Sequence, residues 1–127
     1  MNRLTSGTSV DESRPIFVQI AEQIENDIID GTTAEESQVP STNEFAAFYR
    51  INPATAGKGV NLLVDEGILY KKRGIGMFVA TGSRARLIAK RTDQFQTEFV
   101  RPLLAEAAKL GISAQQLADM ITKEPNE

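Results

Sequence analysis

Residues 41–80 read STNEFAAFYRINPATAGKGVNLLVDEGILYKKRGIGMFVA, and the punctuation of this stretch decides the fold. Ser41-Thr42-Asn43-Glu44 is a capping box, in which the serine hydroxyl and the glutamate carboxylate each satisfy a free N–H at a helix start. The short helix it opens carries Phe45, Ala46 and Phe48 as its apolar members. Asn52-Pro53 repeats the start signal, an N-cap residue followed by proline at the first helical position. A second helix then runs from Pro53 to about Glu66, burying Val60, Leu63 and Val64, and Gly67 ends it. Residues 68–72 and 77–80 are β-prone, and Arg73-Gly74-Ile75-Gly76 between them supplies the positive φ angles of a tight hairpin.

On the N-terminal side, residues 1–13 are polar and without period, which predicts a flexible tail. Pro15 suits a first helical turn, and Phe17, Ile20, Ala21, Ile24 and Ile28 recur at helical spacing up to Gly31. The acids Glu22, Glu25, Asp27 and Asp30 are expected on the rest of that helix's surface. Residues 32–37 form a polar connector, and Gln38-Val39 adds a short strand. On the C-terminal side, Ser83 is placed to cap a long helix with Leu87, Ile88, Phe95, Phe99, Leu103 and Ala107 on its apolar side. Pro102 within that run predicts a kink or a break. Gly111 ends it, and Ser113-Ala114-Gln115-Gln116 opens a last short helix bearing Leu117, Met120 and Ile121. The expected organisation is a tail over residues 1–13, a winged unit over 14–82, a helical dimerisation region over 83–122 and a frayed end over 123–127.

With 127 residues, 41% hydrophobic and 24% charged, the composition is that of a globular domain. The absence of cysteine and histidine removes disulfides, thiol nucleophiles, imidazole bases and the commonest zinc and iron ligands, so no metal or cofactor is expected. No apolar run approaches the roughly 18 residues of a membrane span, and residues 1–10 lack a signal peptide's apolar core, so a cytoplasmic protein is expected. The net charge of −3 conceals a strong asymmetry: residues 1–36 carry −6, residues 37–91 carry +6 and residues 92–127 carry −3. From Lys71 to Arg91 there are seven basic side chains and no acid. Phosphate binding answers to the local field, so the basic middle is either a footprint for double-stranded DNA or a solvated face. Arg84, Arg86, Lys90 and Arg91 stand open to both readings.

A short helix, a tight break, a longer helix and a basic hairpin, in that order, give a mainly α fold with a small β-hairpin: a winged helix-turn-helix followed by two C-terminal helices. In such a unit the second helix can enter the major groove while the hairpin reaches backbone or minor groove. The start of that helix is also expected to offer N–H groups to a phosphate. Phe95, Phe99 and Leu103, with Leu87, Leu117 and Ile121, form the expected homodimer interface; burial in the chain's own core or an effector pocket are the alternatives. Arg73-Gly74-Ile75-Gly76 precedes a strand rather than a helix, which argues against a nucleotide loop. Asp65 and Glu66 are adjacent at a helix end and do not face one another across a site, so no enzyme is expected. The competing function is a small protein–protein interaction module that uses the C-terminal helices.

Pro15 to Gly31 followed by Val39-Pro40-Ser41, Glu44-Phe45-Ala46, Asn52-Pro53-Ala54-Thr55-Ala56, Asp65-Glu66-Gly67-Ile68-Leu69 and Lys72-Arg73-Gly74-Ile75-Gly76-Met77-Phe78-Val79 resembles the GntR family of bacterial transcriptional regulators. The Asn-Pro-x-Thr helix start and the short C-terminal part are similar to its YtrA-type branch. The resemblance implies a homodimer formed by a two-helix tail, a repressor's action on a palindromic operator, and genes beside transporter operons. It also implies DNA contacts from Ser41, Thr42, Asn43, Arg50, Ala54, Thr55 and Lys58, and from Lys72, Arg73, Gly74 and Gly76 on the wing. Asn43 stands where the family commonly has arginine, and Ala54 and Gly57 stand where it commonly has polar or basic residues. Lys58 is thus the one cation early in the recognition helix. Arg50 stands where the family generally has glycine; if the left-handed backbone of that turn is kept, a non-glycine residue costs on the order of 1 kcal/mol, and Arg50→Gly is then expected to raise the melting temperature.

Overall fold

The computed structural model describes residues 13–125. Residues 1–12 and 126–127, which hold most of the expected flexible tail and the end of the frayed one, lie outside the described residues. Helix α1 spans Ile16–Ile29, α2 Thr42–Tyr49 and α3 Pro53–Asp65, followed by strands β1 (Leu69–Lys72) and β2 (Gly76–Val79). Helix α4 covers Ser83–Phe95, a π-helical turn Gln96–Val100, α5 Arg101–Lys109 and α6 Ala114–Lys123. The chain divides into two compact units, Met1–Ile88 and Ala89–Glu127, so the first part of α4 belongs with the wing.

In the first unit, Ile20, Ile24 and Ile28 of α1 share one core with Phe45 and Ala46 of α2, and with Ala56, Val60 and Leu63 of α3. Ile68, Leu69, Val79 and Leu87 close it. β1 and β2 pair antiparallel from Leu69↔Val79 to Lys72↔Gly76. The expected strand at Gln38-Val39 is reduced to a single bridge, Gln38↔Phe78. The segment is nevertheless tied along β2: Glu36 N–H donates to Val79 O (2.8 Å), Val79 N–H to Ser37 O (3.0 Å) and Val39 N–H to Met77 O (2.9 Å).

Several local expectations are corrected by packing. Glu25 and Asp27 are buried, because α1 is covered over a wider arc than its apolar stripe. The connector folds back so that Thr33 N–H donates to Asp27 O at 2.9 Å, while Gln23 Nε2 donates to the Asp27 carboxylate at 3.0 Å. Desolvation raises the Asp27 pKa above the ordinary value. Phe48 and Ile88 are exposed and Val64 is only half-buried, since α2, α4 and α3 each pack through a narrower face than their apolar residues span. Pro102 does not break the helix. Proline has no N–H and its ring crowds the carbonyl one turn back, so the preceding turn widens. Arg101 N–H reaches Gln96 O, five residues away, and the helix continues.

In the second unit, Ser113 and Gln116 form the expected capping box at the start of α6, with N–H···O distances of 2.8 and 3.1 Å. Among its described residues only Ala107 and Leu117 are buried.

Candidate nucleic-acid interface

The α2–turn–α3 unit is held at its ends by its own sequence. Ser41 Oγ accepts from Glu44 N–H (3.0 Å) and the Glu44 carboxylate accepts from Ser41 N–H (2.7 Å). Arg50 closes α2 in the left-handed conformation, φ 57° and ψ 52°, and Ile51 N–H donates back to Ala46 O at 3.0 Å. Ser41, Asn43, Arg50, Ala54 and Lys58 are exposed. Thr42 and Thr55 are half-buried, the Thr42 methyl lying 3.6 Å from where a Cβ on Gly57 would stand. One expectation fails at α3. Its first N–H groups are already used, Ala54 donating to Asn52 Oδ1 (2.7 Å) and Thr55 and Ala56 to Asn52 O (3.0 and 3.2 Å), while Pro53 has none. The cap that starts the helix therefore consumes the donors a phosphate would need.

The two lysines of the expected site rest on aromatic rings. Lys58 Nζ lies 4.2 Å from the ring centroid of Phe17 on α1. Lys72 Nζ lies 4.3 Å from that of Phe78 and 5.9 Å from that of Tyr70, two rings stacked 6.0 Å apart. Beyond Lys72 the wing tip is Arg73, Gly74 and Ile75, all exposed. Ile75 N–H donates to Lys72 O at 2.9 Å, and Gly74 takes φ +78° as in a type II turn. Gly76 adopts φ +149°, and a Cβ there would collide with the Gln38 amide, whose Nε2 donates to Ile75 O at 3.0 Å. Gln38 thus braces the tip from outside the hairpin. No local signal marks Phe17 or Gln38 as part of this surface, because each joins it through a distant partner.

The basic run after the wing is not a single charged face. Arg84 Nε donates to Ile29 O at 2.9 Å and Arg86 Nη2 to Gly67 O at 2.6 Å, so the two arginines satisfy carbonyls at the C-terminal ends of α1 and α3. This carbonyl-capping role is not among the readings made from the sequence. Ser83, expected as a cap acceptor, is fully buried, and its hydroxyl donates to Ile68 O at 2.8 Å. Glu35 caps α4 instead, its carboxylate accepting from Gly82 N–H (3.0 Å) and Arg84 N–H (3.1 Å). Beside it Glu36, at φ +66°, accepts from Tyr70 OH and Thr81 Oγ1, both at 2.5 Å. These hydrogen bonds hold both carboxyls below the ordinary glutamate range, and the bond to Glu36 raises the Tyr70 phenol.

The residues expected at a dimer interface separate into two sets. Leu87 is fully buried in the core of the winged unit, which removes it from any surface. Leu117 is buried within the second unit, whereas Phe95, Phe99, Leu103 and Ile121 are exposed. Among the described residues no group of acids could hold a metal ion, and no helix is long and apolar enough to cross a membrane.

The family model for bacterial regulatory proteins of the gntR family matches residues 17–79, from α1 through β2. A GntR-family protein of known structure from Bacteroides thetaiotaomicron is 34% identical, with a TM-score of 0.68 over 85% of this chain and 94% of that one. The chain belongs to the GntR family. It is a DNA-binding transcriptional regulator with the winged fold of that family, whose members are regulators rather than enzymes. The GntR likeness extends past the wing: the transcriptional repressor YtrA of Bacillus subtilis is 27% identical over 86% of this chain and 83% of its own length. The DNA-binding domain of AraR, solved with an operator, matches 57% of this chain at 30% identity and a TM-score of 0.51.

Proposed function

We propose that this GntR chain is a homodimeric repressor that binds a palindromic operator, one winged unit to each half-site. The observation that carries the reading is the joint exposure of Lys58 on α3 and of Lys72 and Arg73 on the wing. Cations on those two elements serve phosphates on either side of a groove, while Thr55, Asn43 and Ser41 offer neutral donors beside them. Ala54 and Gly74 permit close backbone approach, Gly76 makes room for the Gln38 amide that braces the tip, and Thr42 and Arg50 flank the contact. With one lysine on the exposed face of α3, phosphate positioning outweighs direct base reading. Phe95, Phe99, Leu103 and Ile121 form the surface that a second copy covers, which sets the half-sites about one helical turn apart. Likeness to the repressor YtrA supports repression, and the branch resemblance extends the reading to a transporter operon as target.

The test is a titration against a mixed-sequence duplex at two salt concentrations, with the mass in solution taken on the same sample. Binding as a dimer, weakening steeply as salt rises, is the expected result and justifies selecting an operator from random sequence. A well-folded dimer that binds no duplex at low salt would overturn the assigned DNA contacts and favour an interaction module.

A further inference from the structure

Lys58 is exposed on a helix surface, where a lysine ordinarily samples many rotamers and loses that freedom when a phosphate fixes it. Here its ammonium lies on an aromatic ring. Helix α1 approaches α3 at Gly59 so closely that a Cβ there would stand 2.5 Å from Phe17 O and 3.3 Å from Ile20 Cβ. That approach, open only to glycine, lays the half-buried Phe17 ring beside the neighbouring Lys58, 4.2 Å from its ammonium. The ring face attracts the cation electrostatically but occupies one side of it, leaving N–H donors for an anion.

We infer that Phe17, on α1 and outside the helix-turn-helix, is a positioning residue for DNA recognition: its ring holds the Lys58 ammonium on the exposed face of α3, so that the phosphate contact is made by a lysine already in place. The inference rests on the proposed contact between Lys58 and DNA. Phe78 has the same relation to Lys72 on the wing, at 4.3 Å.

The full-length chain is titrated with a mixed-sequence duplex across a salt series, comparing Lys58→Met, Phe17→Leu, Phe17→Tyr and the double variant of Phe17→Leu with Lys58→Met. Lys58→Met is expected to reduce the salt slope by about one. Phe17→Leu is expected to keep the slope and weaken binding about three- to tenfold, and Phe17→Tyr to restore it, because the ring and not the contact is lost. In the Lys58→Met background, Phe17→Leu should add little. Equal losses from Phe17→Leu with and without the lysine would overturn the inference and make Phe17 a packing residue only. So would wild-type affinity for Phe17→Leu beside a reduced slope for Lys58→Met, with the DNA contact left standing. A Lys58→Met variant with unchanged slope and affinity would overturn the contact and the inference together.

Discussion

The winged unit and the C-terminal unit of this GntR regulator treat their apolar side chains in opposite ways. In the first, the stripes of α1 and α3 meet in one core, and Ile20, Phe45, Val60, Leu63, Val79 and Leu87 are each at most 1% exposed. In the second, Phe95, Phe99 and Leu103 at helical spacing, and Ile121 on α6, remain 44–62% exposed. Apolar area left in water forgoes roughly 25 cal/mol per Å², so a stripe of this kind on an ordered helix marks a surface to be covered. The contrast teaches that the DNA-binding half contains its own core, while the other half leaves an apolar surface uncovered, the surface assigned above by proposal to a second copy.

The strongest challenge to that contrast is charge placed in the stripe. Phe95→Asp combined with Phe99→Asp should yield a monomer by mass in solution, with operator affinity lowered by about 100-fold or more through loss of the linked second site. Its winged unit should melt as before. A variant that stays dimeric would place the interface elsewhere. Leu87 tests where the first core ends. Leu87→Ala should cost about 2–5 kcal/mol in thermal or denaturant unfolding, the range for a buried leucine; a loss well below that would assign Leu87 to the second unit.

Smaller effects sharpen the picture within the winged unit. Arg50→Gly should stabilise it by on the order of 1 kcal/mol, since the arginine stands at φ 57°; a lower melting temperature would mean that the side chain supplies more than the backbone strain removes. The smallest expected effect is on pH dependence. Glu35 and Glu36 are held below the ordinary glutamate range by the hydrogen bonds they accept. Their contribution is therefore present above the unfolded-state value and lost as pH falls through the folded-state values. Replacing both by glutamine should flatten the acid side of the melting-temperature profile. Asp27 has the opposite sign: burial raises its pKa, so its contribution is lost as pH rises, and Asp27→Asn should raise the melting temperature at neutral pH. A profile unchanged by either substitution would detach these carboxyls from folding.

The elements were legible where a few neighbouring residues decide the outcome. The Ser41–Glu44 and Ser113–Gln116 boxes and the Asn52-Pro53 start sit at the boundaries read from the sequence. Ser83 had the same local credentials and a different fate, because Glu35 reaches the start of α4 first and the serine faces the core. The basic run from Lys71 to Arg91 likewise looked continuous. Two of its arginines are engaged on helix-end carbonyls, and only a three-dimensional arrangement could bring Arg84 to Ile29, 55 residues away.

The sequence by itself thus determined the order of the helices and the hairpin, the capped starts of α2, α3 and α6 and the family resemblance, since caps, glycines and prolines act within one helical turn. The left-handed close of α2 at Arg50 was decided by the structure. Tertiary structure decided which charges face solvent and which serve the fold: Phe17 under Lys58, Gln38 against the wing tip, and Glu36 joining Tyr70 to Thr81. Each of those pairings links side chains on separate segments. Its partner is chosen by how helices and hairpin pack, which no local pattern encodes.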